Sequence, residues 1–159
     1  MFTCVLDSGS VSGLVYKVKK FTAEGDFVLE VDSKLFTTRN QLFVHSVSGD
    51  VVCIQDGVPD IDDVCNLTFV DGAGQLVSRV TRTKQLREHT ARMLWDRHGH
   101  VVTGTLRGEY MHVFSGDGTC RQSYNVKGSE GINGLCLGRD DVVLIGTKTG
   151  EVIVAKYLQ

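Results

Sequence analysis

"GTLRGEYMHV" (residues 104–113) returns as "GTKTGEVIVA" (residues 146–155), and the matching glycines stand 42 positions apart. Each copy is a glycine-bearing turn that enters a segment in which apolar and polar residues alternate. That alternation is the period of a half-buried β-strand, because successive side chains of an extended chain point to opposite faces. The likeness extends outward to "MLWDRHGHVVTGTLRGEYMHVF" and "GLCLGRDDVVLIGTKTGEVIVAKY". Both copies run apolar strand, polar turn, apolar strand ending in Gly-Thr, turn, third strand. In the first copy "SGDG" and a fourth strand pattern, "TCRQSY", follow.

Upstream, the same signals recur in weaker form. "FVDGAGQLVSRV" (69–80) matches "VFSGDGTCRQSY" (113–124) as a pair of strands, while "GSVSGLVYKV" (9–18) and "TTRNQLFVHSVSGDVVCI" (37–54) repeat the order of turn and strand. Strand patterns run from Phe2–Leu6 to Glu151–Tyr157, Lys34–Thr38 among them, at short and even spacing. Eighteen glycines against one proline, Pro59, supply the turns. Almost no connector reaches the dozen residues that a parallel crossover needs, so the chain reads as hairpin after hairpin. The one helix-like stretch is Thr81–Leu94; it reads as an outer strand, a loop and an inner strand beginning at Arg92.

A unit of about four short antiparallel strands, repeated, is one blade of a β-propeller. Such a sheet has two apolar faces and needs a neighbour on each. The repeat resembles the WD40 and related propeller families, closely over residues 91–157 and loosely over 2–80. The family's turn after the inner strand is matched by "DRHG" (96–99) and "GRDD" (138–141), and its Gly-Ser or Gly-Thr by Gly104-Thr105 and Gly146-Thr147. Its terminal Trp-Asp is replaced by Val113-Phe114 and Ala155-Lys156, and its Gly-His is absent, so its buried His–Asp network is not carried over. The resemblance, of the WD40, NHL or kelch sort, implies an all-β fold, a radial array of about four blades, complete or partial, in one domain over 1–159. Three routes cover its ends: Met1–Leu6 supplying the last sheet's missing strand, self-association, or completion by another chain.

The 17 basic and 19 acidic side chains nearly balance, so no global charge bias points to nucleic acid or a membrane. No apolar run approaches the roughly 20 residues of a membrane span, and no leader pattern opens the chain; a cytoplasmic or nuclear protein is expected. Five cysteines leave one over in any disulfide scheme and read as reduced core side chains.

Catalytic signals are weak. The glycine-flanked serines lack a nucleophile elbow, and "GSVSG" lacks the lysine of a phosphate loop. His98, His100 and His112 have no cysteine at zinc spacing, the acidic run Asp56, Asp60, Asp62 and Asp63 lacks a calcium-loop pattern, and no metal or cofactor is expected. The marked local bias is basic: Arg79, Arg82, Lys84, Arg87, Arg92 and Arg97 stand against Glu88 and Asp96 between Arg79 and His100. Trp95 lies inside it. The expected function is therefore a non-catalytic protein-interaction or scaffold module, with Arg87, His89, Trp95 and Arg97 binding an acidic or mixed protein or peptide. Three other readings stay open: self-assembly or completion by a partner chain, RNA binding through residues 79–100, and a small hydrolase or lyase site in the propeller mouth.

Overall fold

The computed structural model describes residues 2–7, 15–31, 40–45, 48–55, 65–81, 90–105 and 108–157. All regular elements among them are strands: β1 (Phe2–Asp7), β2 (Val15–Phe21), β3 (Phe27–Val31), β4 (Asn40–Val44), β5 (Val51–Gln55), β6 (Cys65–Val70), β7 (Leu76–Thr81), β8 (Thr90–Trp95), β9 (His100–Thr105), β10 (Tyr110–Ser115), β11 (Cys120–Asn125), β12 (Ile132–Leu137), β13 (Val142–Thr147) and β14 (Val152–Lys156). They form four small antiparallel sheets of consecutive strands, ordered β1-β2-β3, β4-β5-β6-β7, β8-β9-β10-β11 and β12-β13-β14. The expected inner strand at Arg92 is β8, beginning two residues earlier. The expected strand Lys34–Thr38 lies outside the described residues.

The chain divides into two compact units, Met1–Arg82 and Thr83–Gln159. In the first unit the core is Val18, Val31, Val51, Val52, Leu67, Phe69 and Val70. Its two sheets are also joined by polar contact, since Lys20 donates from Nζ to the Gly72 carbonyl at 2.6 Å. Asp50 Oδ1 accepts from Gly72 N–H at 3.0 Å, tying the β4–β5 turn to the β6–β7 turn.

In the second unit β12 packs against β8 and β9. The shared core is Val102, Met111, Val113, Val126, Ile132, Val143, Ile145 and Tyr157. The alternation seen in sequence explains which side chains meet there: Ile153 and Ala155 of β14 pack on this core, while Val152 and Val154 face outward. Each fully buried aliphatic side chain contributes roughly 1.5–3 kcal/mol relative to exposure. β9 is buried along Val101–Thr105, as a strand flanked on both edges and covered on both faces must be.

The 42-residue offset holds for backbone detail as well as for strand order. β8, β9 and β10 begin 42 residues before β12, β13 and β14. Each first strand carries an irregularity at the same place, between Thr90 and Arg92 and between Ile132 and Gly134. The recurring Gly-Thr has a physical reason in both its residues. Thr105 Oγ1 lies 3.1 Å from the Tyr110 carbonyl and 3.3 Å from its N–H; Thr147 Oγ1 likewise meets the Glu151 carbonyl and N–H at 3.2 and 3.0 Å. Each threonine thus closes the hairpin that follows it. Gly104 gives the adjacent strand room: a Cβ there would lie 2.6 Å from Ile132 Cγ2.

Four expectations are corrected. Phe2–Leu6, expected with Met1 to complete the last sheet, lies in β1 and pairs with β2 in the first sheet; among the described residues the last sheet is β12-β13-β14. Cys120 and Cys136 are exposed free thiols rather than core side chains, because no neighbouring element among the described residues covers them. His112 is buried instead of lying at an edge; its Nδ1 sits 2.8 Å from Ser123 Oγ, a partner that makes burial tolerable. Tyr110 is exposed rather than packed and stacks on the His112 ring.

Because the tightest contact at Gly104 is with a branched aliphatic side chain, Gly104→Ala is expected to destabilise the protein by about 1–3 kcal/mol through overpacking. Adding Ile132→Val, which shortens the opposing side chain, should recover part of the loss. The urea midpoints of the two variants against the parent check this.

Candidate functional site

Asp96 follows the last residue of β8, and its position in "DRHGH" suits a turn in which an aspartate side chain binds the backbone ahead of it. Its Oδ1 accepts from the N–H groups of His98 and His100 at 2.8 and 2.7 Å. Gly99 has φ 79°, which allows the chain to fold back into β9. The other oxygen, Oδ2, lies 2.9 Å from His100 Nδ1 and accepts from the Tyr157 hydroxyl at 2.9 Å. Asp96 is 2% exposed and Tyr157 1%. A carboxylate this deep survives only because four donors surround it.

Burial of Asp96 opposes ionisation, but the His100 N–H, the His100 ring and the Tyr157 hydroxyl outweigh it and hold the carboxyl below its ordinary value. Burial, and then the bond to Asp96, push the Tyr157 hydroxyl in the opposite direction, well above the usual phenol range. The tyrosine therefore remains a proton donor at neutral pH. It also anchors the end of the last sheet: its carbonyl accepts from the Tyr124 hydroxyl of β11, and its N–H donates to the Asp141 carbonyl at 3.2 Å.

The turn between β12 and β13 supplies the second carboxylate. Asp140 and Asp141 have φ 56° and 59°, the left-handed region that aspartate tolerates better than most residues. Asp141 Oδ1 lies 2.9 Å from His98 Nε2 and 3.2 Å from Arg97 Nη2. The His98 hydrogen bond holds the Asp141 carboxyl below its ordinary value against the cost of desolvation, with the charge of Arg97 adding to the effect. Asp96, Arg97, Leu137, Gly138, Asp141 and Tyr157 line a cavity of about 120 Å³.

Of the four residues expected to bind, Arg97 and Trp95 lie at this turn, and Arg87 and His89 fall outside the described residues. Arg97 is exposed, with its side chain 66% accessible. Trp95 is half-buried, its ring near Gly116 in the β10–β11 turn. Elsewhere in the basic segment, Arg92 donates from Nε to the Asn133 carbonyl at 2.5 Å, so it serves as a strut between sheets. The acidic run 56–63 lies outside the described residues. Among the described residues, no three His, Cys, Asp or Glu side chains are grouped to hold a metal ion. No helix there is long and apolar enough to cross a membrane.

Asp96, Tyr157 and Asp141 were not singled out as a site by sequence. The Asp-x-x-Gly of the first turn is a local signal, but Tyr157 meets Asp96 across 61 positions, a pairing with no local trace.

No protein-family model matches the chain, and no curated protein sequence does. Solved structures do. The computationally designed Ika4 protein is similar with a TM-score of 0.63 at 17% identity, over 90% of this chain and 84% of that one. BBS1N, solved in complex with ARL6DN, is similar with a TM-score of 0.59 at 16% identity, over 98% of this chain and 50% of that one. This chain thus spans about half the length of BBS1N. At such identities the likeness shows the fold alone, which is propeller-like in general and specific to neither WD40 nor NHL.

Tyr157→Phe removes one donor from a buried carboxylate and should cost about 1–3 kcal/mol. Asp96→Asn should cost more at neutral pH: its oxygen can keep the backbone N–H groups of His98 and His100, but its amide N–H then faces the His100 ring and the Tyr157 hydroxyl, which in the parent donate to a carboxylate oxygen. The folded-state pKa of Asp96 is lowered, so its contribution is present above the unfolded value near about 3.9 and is lost as pH falls through the folded value. Denaturant midpoints of parent and Asp96→Asn should accordingly differ most near neutrality and converge in acid.

Proposed function

We propose that the chain is a non-catalytic protein-interaction module whose four sheets act as blades of one propeller-like domain over residues 1–159, complete or partial. Its binding surface is the turn carrying Trp95 and Arg97, extended by Arg87 and His89, and its partner is an acidic or mixed protein surface. The observation that carries this reading is an exposed guanidinium on a turn braced by a buried carboxylate. Arg97 is mostly solvent-accessible, yet its turn is fixed by the bonds to Asp96 and its Nη2 by Asp141. A pre-ordered donor loses less entropy on binding a carboxylate than a free one.

Against hydrolase or lyase chemistry stands the state of the groups themselves. The hydroxyl that reaches Asp96 is that of Tyr157, which is buried and donates to the carboxylate. RNA binding loses one of its cations to internal use, as Arg92 bonds the Asn133 carbonyl.

A second reading, assembly with another chain, rests on the last sheet. Among the described residues it has three strands where the sheet packed on it has four, and Val152 and Val154 of β14 are 70% and 66% exposed.

Fluorescence anisotropy with labelled Glu/Asp-rich peptides tests the first reading. Binding should weaken with salt, and Arg97→Glu should reduce it about tenfold, the loss of one charge-assisted contact. Peptides that do not bind, or that bind Arg97→Glu as well as the parent, refute it. A labelled oligouridylate in the same assay, bound with a steep salt dependence while the peptides are not, favours RNA instead.

A further inference from the structure

β14 is the last strand of its sheet, and its hydrogen-bonding pattern shows which groups it leaves open. Thr147 N–H donates to the Glu151 carbonyl and Tyr157 N–H to the Asp141 carbonyl, so these positions form hydrogen-bonded pairs across the β13–β14 hairpin. Such pairs alternate along an antiparallel ladder. Ile153 and Ala155 therefore turn their backbone groups toward β13, and Val152, Val154 and Lys156 turn theirs toward the edge. No strand among the described residues pairs with that edge.

Beside the same edge lies an open groove of about 250 Å³ between β10–β11 and β13–β14. Met111, Tyr124, Val126, Ile145, Ile153 and Ala155 give it apolar walls. Lys127 and Lys156 also line it, and neither has an ion-pair partner among the described residues. Glu109, which approaches from the neighbouring turn, is engaged by the Gly128 N–H at 2.7 Å. The groove thus combines an apolar floor, two lysines without an ion-pair partner and an adjacent row of backbone groups that no strand pairs with, all among the described residues. It is smaller than the usual small-molecule site of roughly 300–1,000 Å³ and is open rather than closed over.

We propose that the free edge of β14 is a strand-addition site for an extended segment of a partner protein in which apolar residues alternate with Asp or Glu. The proposal deepens the assembly reading above and rests on it. Paired as a fourth strand, such a segment satisfies the outward backbone groups of Val152, Val154 and Lys156. Every second side chain then falls on the face that Ile153 and Ala155 share and enters the groove, while the intervening carboxylates fall on the opposite face, beside Lys156. A second copy of β14 is a poorer occupant. It brings Glu151 as its single carboxylate and another Lys156, so it adds positive charge to the seam.

Selection of random linear dodecapeptides displayed on phage against the immobilised 159-residue chain tests the idea. The enriched peptides are expected to alternate apolar and acidic residues. A synthetic version should bind Val154→Pro, which lacks one outward N–H while keeping the β13 pairing, about tenfold more weakly than the parent, as loss of one interfacial hydrogen bond implies. Val154→Thr should bind as the parent does, and Lys127→Glu with Lys156→Glu should bind more weakly. N-methylation of alternate peptide amides in one register should abolish binding, a readout independent of how well any variant folds. Failure to enrich peptides, enriched peptides without alternation, or indifference to N-methylation overturns the proposal, as does a dimer of the chain dispersed by Val154→Pro. Arg97→Glu separates the two surfaces: it should leave this peptide's affinity unchanged, and if it alone weakens binding, the turn is the site and the strand edge is not.

Discussion

A sheet of three or four short strands has two apolar faces and can cover neither by itself, so each sheet here is stable only against a neighbour. In the second unit that requirement fixes nearly everything else. Gly104 is glycine because Ile132 of the neighbouring sheet fills the space of its missing side chain. Val102, Met111 and Val113 meet Val143 and Ile145 because alternation sends those positions to the shared face. The buried bond between Tyr157 and Asp96 then locks the end of one sheet onto the first turn of the other.

That lock gives the candidate surface its character. A turn carrying an arginine and two histidines would ordinarily sample many conformations. Here the Asp96 carboxylate holds its backbone from below and Asp141 holds its side chains from the neighbouring sheet. Recognition by such a surface costs little ordering. Burial and the bond to Asp96 keep the phenol protonated, while the donors around Asp96 and Asp141 keep both carboxylates ionised.

The strand edge of β14 is a different kind of surface, with backbone groups supplying affinity and a shallow apolar groove supplying selectivity. Val152 and Val154 are large aliphatic side chains left in water on a strand whose outer backbone groups pair with no strand among the described residues. Lys127 and Lys156, without an ion-pair partner among the described residues, oppose casual pairing between copies and favour an acidic segment.

The sequence by itself determined the all-β character, the hairpin order and the 42-residue unit, because turn chemistry and period-two alternation are local. Thr105 and Thr147 close hairpins through atoms four or five residues away, which is why Gly-Thr recurs visibly. Trp95 and Arg97 were likewise legible as chemistry. What they touch was not: Asp141 lies 44 positions from Arg97, and the phenol that braces Asp96 lies 61 positions away. Nor did periodicity reveal that His112 is buried while Cys120 and Cys136 are exposed, since alternation gives the phase of a strand but does not say which face a neighbour will cover. Only the packing of one sheet on another chose the buried face and joined the carboxylates to their donors.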